Sequence, residues 1–144
     1  MDNIKFEDNI SLDDYLMLRK SADFKELSIR QAELAIKNHN FLIVAKDNEQ
    51  TVGMARLLGD DSWVSTIVDV IVLPKYQSKG IGRVMIEKIL EHINSSKSDD
   101  EQVLVMLLAA KGKEGFYEKL GFAELPNDTS GAGMLQWLLN KPTK

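Results

Sequence analysis

The stretch VIVLPKYQSKGIGRVMIEKIL, from Val70 to Leu90, decides the fold. Val70–Leu73 are all apolar, as a buried strand requires, and Pro74 ends the run because it has no N–H to give to a ladder. Beyond it Ile81, Met85, Ile86, Ile89, Leu90 and Ile93 recur at helical spacing and make one broad apolar face. At the seam stand Gln77, Gly80 and Gly82 with three cations, Lys75, Lys79 and Arg83. Glycine weakens a helix, so two of them at its start require a compensating role. Three roles are open. The glycines only allow a tight turn and close helix–strand packing. Or they begin a dinucleotide fingerprint, G-x-G-x-x-G, although Met85 holds the third glycine's place and Asp99 and Asp100 stand in a polar loop rather than at a strand end. Or they open a pyrophosphate cradle, where orphan N–H groups and the positive end of the helix dipole meet an anion. The whole segment favours the cradle. With no Cβ at positions 80 and 82 phosphates reach the backbone, and Lys79 and Arg83 add charge from the rim.

The rest of the composition narrows the setting. At 144 residues one domain, spanning residues 1–144, is expected. Hydrophobic residues at 44% and charged ones at 28% fit a soluble globular chain. No cysteine is present, which removes disulfides and a cysteine nucleophile. Two histidines, His39 and His92, and no H-E-x-x-H pattern leave no expected metal site. No apolar run reaches the ~20 residues that span a bilayer, so no membrane partner is expected. MDNIKFEDN does not have the form of a signal peptide, and a cytoplasmic location follows as the expectation. A net charge of −4 argues against nucleic acid as a partner, while the cations near Gly80 make one locally basic mouth.

Along the chain, NIKFED reads as a short strand. Ser11 with Asp14 and Ser28 with Gln31 mark two helix starts. Phe41–Asp47 and Gln50–Leu58 flank Asn48-Glu49 as a hairpin, and Trp63–Leu73 reads as a strand covered on both faces. After the helix and the polar loop NSSKSDDEQ comes a buried strand, VLVMLLAA. Then GKEGFYEKLGF forms a short helix closed by Gly121, and MLQWLL is expected as a last strand. This order makes an α/β fold with a mixed central sheet flanked by helices.

VIVLPKYQSKGIGRVMIEKIL resembles the acetyl-CoA motif of the GNAT (Gcn5-related) N-acetyltransferase family: strand, V-x-P, then Q/R-x-x-G-x-G/A opening a helix. A second block, AAKGKEGFYEKLGF (Ala109–Phe122), is similar to the family's later motif, F/L-Y-x-K-x-G-F. The likeness runs from about Phe41 onward and implies a GNAT-like fold with acetyl-CoA as the acyl donor. It implies that Val70, Ile71 and Val72 pair with the pantetheine arm like an added strand, the Val70 N–H facing the thioester oxygen. Amides of Ser78, Lys79, Gly80, Ile81, Gly82 and Arg83, behind Gln77, would hold the pyrophosphate, and Tyr117 would stand beside the sulfur. The family's frequent Asn seven residues before that tyrosine is Ala110 here. Within the family, the tail from Phe116 to Trp137 is similar to the plant and cyanobacterial serotonin-acetyltransferase type.

Amide formation from an amine and a thioester needs a deprotonated amine, a donor for the developing oxyanion, and a proton or other stabilisation for the leaving thiolate. Asp69 is the only charge in Trp63–Leu73, so it is paired, edge-exposed or functional, and it is the candidate to face the amine. The glucosamine-phosphate acetyltransferases of the family have a Glu-Asp pair here, but this chain has Val68 before Asp69. Histone-type members place a glutamate base where this chain has Thr66. Tyr117 is the candidate acid. His39 and His92 are expected on polar helix surfaces, and Trp63, Trp137 and Phe116 in the core. The expected activity is acetyl transfer to a primary amine of a small molecule or peptide, and the chain leaves room for a homodimer. The alternative is a CoA-binding sensor or partner module of the same fold without turnover.

Overall fold

A computed structural model describes residues 3–139. Two compact units are distinguishable among the described residues, one up to Leu108 and the other from Ala109. The first holds β1 (Ile4–Glu7), α1 (Leu12–Ser21), α2 (Ile29–Ala35), β2 (Phe41–Asp47), β3 (Gln50–Gly59), β4 (Val64–Val72), a 3-10 turn (Pro74–Tyr76), α3 (Ile81–Ser96) and β5 (Leu104–Leu107). The second holds α4 (Glu114–Glu118). Both serine starts cap their helices. The Ser11 hydroxyl accepts from the Asp14 amide, and Ser28 with Gln31 forms a full capping box.

The sheet runs in chain order β1-β2-β3-β4-β5, with antiparallel pairs up to β4 and a parallel β4–β5 pair reached through α3. Tyr15, Leu18, Ala32, Leu42, Val44, Met54 and Ile71 pack together where α1 and α2 cover one face. Gly53 precedes Met54 and so points to the other face, where a Cβ would lie 3.5 Å from the Met85 methyl of α3. The α3 residues Ile81, Met85, Ile86 and Ile89 are fully buried there. Among the described residues no helix is long and apolar enough to cross a membrane.

Strand β4 carries the feature that positions the site. Met54 pairs with Ile71 and Arg56 with Val68, so Ala55 faces both Asp69 and Val70 across a bulge. Asp69 sits at φ +52°, left-handed, a conformation Asp tolerates better than the β-branched residues around it. The bulge reverses which face the strand's side chains take. Ile67 pairs with Leu57 and Ile71 with Met54, and Leu57 and Met54 lie on opposite faces of β3.

Several expectations are corrected. Residues 134–139 carry no strand, and β5 ends at Leu107 rather than running on through Ala110. Leu104 and Met106 of β5 are exposed, so it is not a strand covered on both faces. Trp63 and Trp137 are exposed rather than core, at 59% and 60%. His39 lies in the connection between α2 and β2, and His92 is half-buried with its ring stacked 4.3 Å from Phe41.

Candidate active site

Parallel pairing of β4 with β5 covers Val64–Ile67 and stops just before the bulge. Among the described residues, the edge of β4 beyond that point has no strand beside it. Leu73 donates its N–H to the Val52 carbonyl, so the peptide groups of Leu73 and Ile71 point toward β3. Alternation turns those of Val70 and Val72 to the open edge. Of the three residues expected to pair with the pantetheine arm, Ile71 thus has its peptide groups turned toward β3. The bulge accounts for the open edge: it bends β4 where β5 would otherwise continue.

The Val72 carbonyl accepts a hydrogen bond from Gln77 Nε2 at 2.9 Å, which ties the loop to the end of β4. After that clamp the backbone turns left-handed twice, at Ser78 (φ +63°) and at Gly80 (φ +87°), the N-cap of α3. Turns of this kind point successive N–H groups into one concavity. The first bond of the helix is Val84 N–H to the Gly80 carbonyl. The amides from Ser78 to Arg83 have no acceptor among the described residues, and a Cβ at Gly80 would meet nothing within 4 Å. A sixteen-residue helix therefore ends in a bare, open crescent of donors with its positive dipole end behind them. These donors fit a pyrophosphate. The rim cations are partly engaged: Lys79 lies 5.5 Å from the Tyr76 ring centre and Arg83 pairs with Glu87 at 3.4 Å. Tyr76 is itself held by Asp47, at 2.5 Å.

Asp69 takes the paired option. Its Oδ1 accepts from Arg19 Nη1 at 2.9 Å, and its Oδ2 from Arg56 Nε at 2.8 Å and from the Tyr15 hydroxyl at 2.6 Å. The carboxylate is 8% exposed. Three of the carboxylate's acceptor positions are therefore taken, one on Oδ1 and two on Oδ2. The two guanidiniums reach further. Arg19 Nη2 donates to the Lys25 carbonyl, and Arg56 Nη1 to the Ala35 carbonyl. Burial, and then the bond to Asp69, push the Tyr15 phenol above its ordinary pKa, so it stays a donor. Sequence reading missed Arg19, Arg56 and Tyr15, which stand 50, 13 and 54 positions from Asp69. Their only visible mark was an arginine inside an otherwise apolar strand, MARLL.

In the second unit Tyr117 is held by the end of its own helix. The Phe122 N–H bonds to the Tyr117 carbonyl and the Gly121 N–H to that of Glu118, with Gly121 left-handed at φ +94°. This is a Schellman motif, and it lays the Phe122 ring edge-on to Tyr117 at 6.0 Å. Tyr117 is buried, while Phe116 and Leu120, expected to anchor the helix, are half-buried. Burial raises the Tyr117 pKa, and its hydroxyl makes no hydrogen bond among the described residues.

The family model "Acetyltransferase (GNAT) domain" matches residues 16–137. The uncharacterized N-acetyltransferase ycf52 of Pyropia yezoensis is 30% identical, over 90% of this chain and 79% of the relative. Among solved structures, a probable acetyltransferase of unknown function from methicillin-resistant Staphylococcus aureus superposes with a TM-score of 0.81. It is 29% identical, with 92% of this chain and 99% of that one covered. A GNAT-family acetyltransferase from Streptococcus pneumoniae gives 0.76 at 27% identity, over 96% and 98%. With the mixed sheet, the open β4 edge and the bare start of α3 in place, the chain belongs to the GNAT acetyltransferase family.

Proposed function

We propose that residues 1–144 act as one acetyltransferase domain that moves an acetyl group from acetyl-CoA to a primary amine of a small molecule or peptide, by direct attack. The observation that carries this is the crescent of unpartnered amides at Ser78–Arg83 beside the β4 edge at Val70 and Val72, where no strand pairs and Gln77 holds the Val72 carbonyl. Acetyl-CoA supplies an activated acyl group with a thiol leaving group. The chain's own part is to bind and to manage charge. The amides of Ser78–Arg83 hold the pyrophosphate, and Val70 and Val72 pair with the pantetheine arm through their peptide groups. The Val70 N–H donates to the thioester oxygen as negative charge grows there, a contribution worth roughly 10²–10³ in kcat for one well-placed donor. Tyr117 gives its phenolic proton to the departing sulfur. Asp69 is engaged by three donors, so the amine loses its proton through water rather than to that carboxylate. The net negative charge favours a cationic acceptor.

The test is release of free thiol from acetyl-CoA against a panel of amines, from arylalkylamines and polyamines to lysine peptides. Amine-dependent release with formation of the acetylated product is expected. Tight CoA binding with no release on any amine would favour a sensor module instead.

A further inference from the structure

The buried cluster around Asp69 is larger than a single strand charge requires. Asp69, Arg19 and Arg56 have side chains 8%, 13% and 9% exposed, and Tyr15 is 1% exposed. Each guanidinium spans two elements. Arg56 joins the bulge to the end of α2, through Asp69 and the Ala35 carbonyl; Arg19 joins it to the segment between α1 and α2, through Asp69 and the Lys25 carbonyl. Tyr15 lies beneath both, with the Arg19 and Arg56 guanidinium carbons 5.7 and 5.8 Å from its ring centre. Asp69 is also the left-handed residue of the bulge, and the next peptide N–H belongs to Val70.

We infer that Tyr15, Arg19 and Arg56 are positioning residues: through Asp69 they fix the bulge so that the Val70 N–H is aimed at the thioester carbonyl. This rests on the Val70 donor role given above. A left-handed residue in mid-strand is a sparsely populated conformation that persists only where its surroundings over-determine it, and three converging donors supply that constraint. Without them β4 relaxes toward regular pairing, and the peptide after residue 69 rotates. Each guanidinium reaches its two acceptors from different nitrogens of a planar fork, a span that the single nitrogen of a lysine does not cover.

The carbonyl itself reports the geometry. Acetyl-CoA labelled with 13C at the thioester carbonyl is bound to the full-length protein, and its C=O stretch is read by difference infrared spectroscopy. Wild type is expected to lower the stretch through the Val70 hydrogen bond. Arg56→Lys, Asp69→Asn and Tyr15→Phe are expected to bind acetyl-CoA within about threefold of wild type, because the Ser78–Arg83 amides lie outside the cluster, and to lose most of that lowering. Asp69→Asn is the most disruptive of the three, and Arg56→Lys and Tyr15→Phe carry the test where it does not fold. A lowering that survives in all folded variants overturns the positioning role alone. Wild type that binds acetyl-CoA with no lowering overturns the Val70 donor, and the positioning role with it.

Discussion

At the residue scale the two tyrosines differ in what their hydroxyls meet. Tyr15 is locked into the Asp69 cluster, whereas the Tyr117 hydroxyl is uncommitted among the described residues. Burial raises the Tyr117 pKa from 10.0, which favours the protonated phenol, so it remains a donor through neutral and mildly alkaline pH. Activity that depends on this proton falls only as pH rises above 10. Tyr117→Phe keeps the ring against Phe122 and removes the proton, so kcat should fall about 10²-fold with folding and acetyl-CoA affinity retained. Steady-state kinetics in the chemistry-limited regime check this, and kcat within twofold of wild type contradicts the acid role. The tyrosine and its neighbours were legible from FYEKLGF. The partners of Asp69 were not, because they stand 13 to 54 positions away and no local pattern connects them.

At the element scale the sequence shows what local rules govern. Hairpin, caps and the Gly121 stop were readable because turn residues, capping side chains and left-handed glycine act within a few positions. The β4 bulge was not, since VSTIVDVIV alternates no differently on either side of Asp69. Only pairing with β3 shows that Ile67 and Ile71 take opposite faces. The same contact gives a prediction. A Cβ at Gly53 would sit 2.9 Å from the Ile71 carbonyl oxygen, a backbone atom that cannot swing aside, and 3.5 Å from both Val72 and Met85. Gly53→Ala should therefore push β4 outward next to the bulge and cost about 1–3 kcal/mol, as overpacking does. A denaturant titration measures it, and an unchanged midpoint contradicts the close approach. The expected last strand over residues 134–139 failed for the converse reason. MLQWLL has strand composition, but composition does not supply a pairing partner.

At the scale of the whole molecule a net charge of −4 coexists with the bare N–H groups of Ser78–Arg83, a donor set that suits an anion through backbone dipoles rather than net charge. Lys79 and Arg83 stand on the rim, one over the Tyr76 ring and the other paired with Glu87, so under the proposed cradle each would add a screened contribution of less than about 1 kcal/mol. Position 82, in the first turn of α3, matters more, since a branched side chain there crowds the crescent of amides without weakening the helix, for which valine is the better former. The direct measurement is a calorimetric titration of acetyl-CoA into wild type, Lys79→Ala and Gly82→Val, each first shown to be folded. The backbone cradle predicts at most a fewfold weakening for Lys79→Ala and a loss of at least tenfold for Gly82→Val. Equal affinities for wild type and Gly82→Val would contradict it.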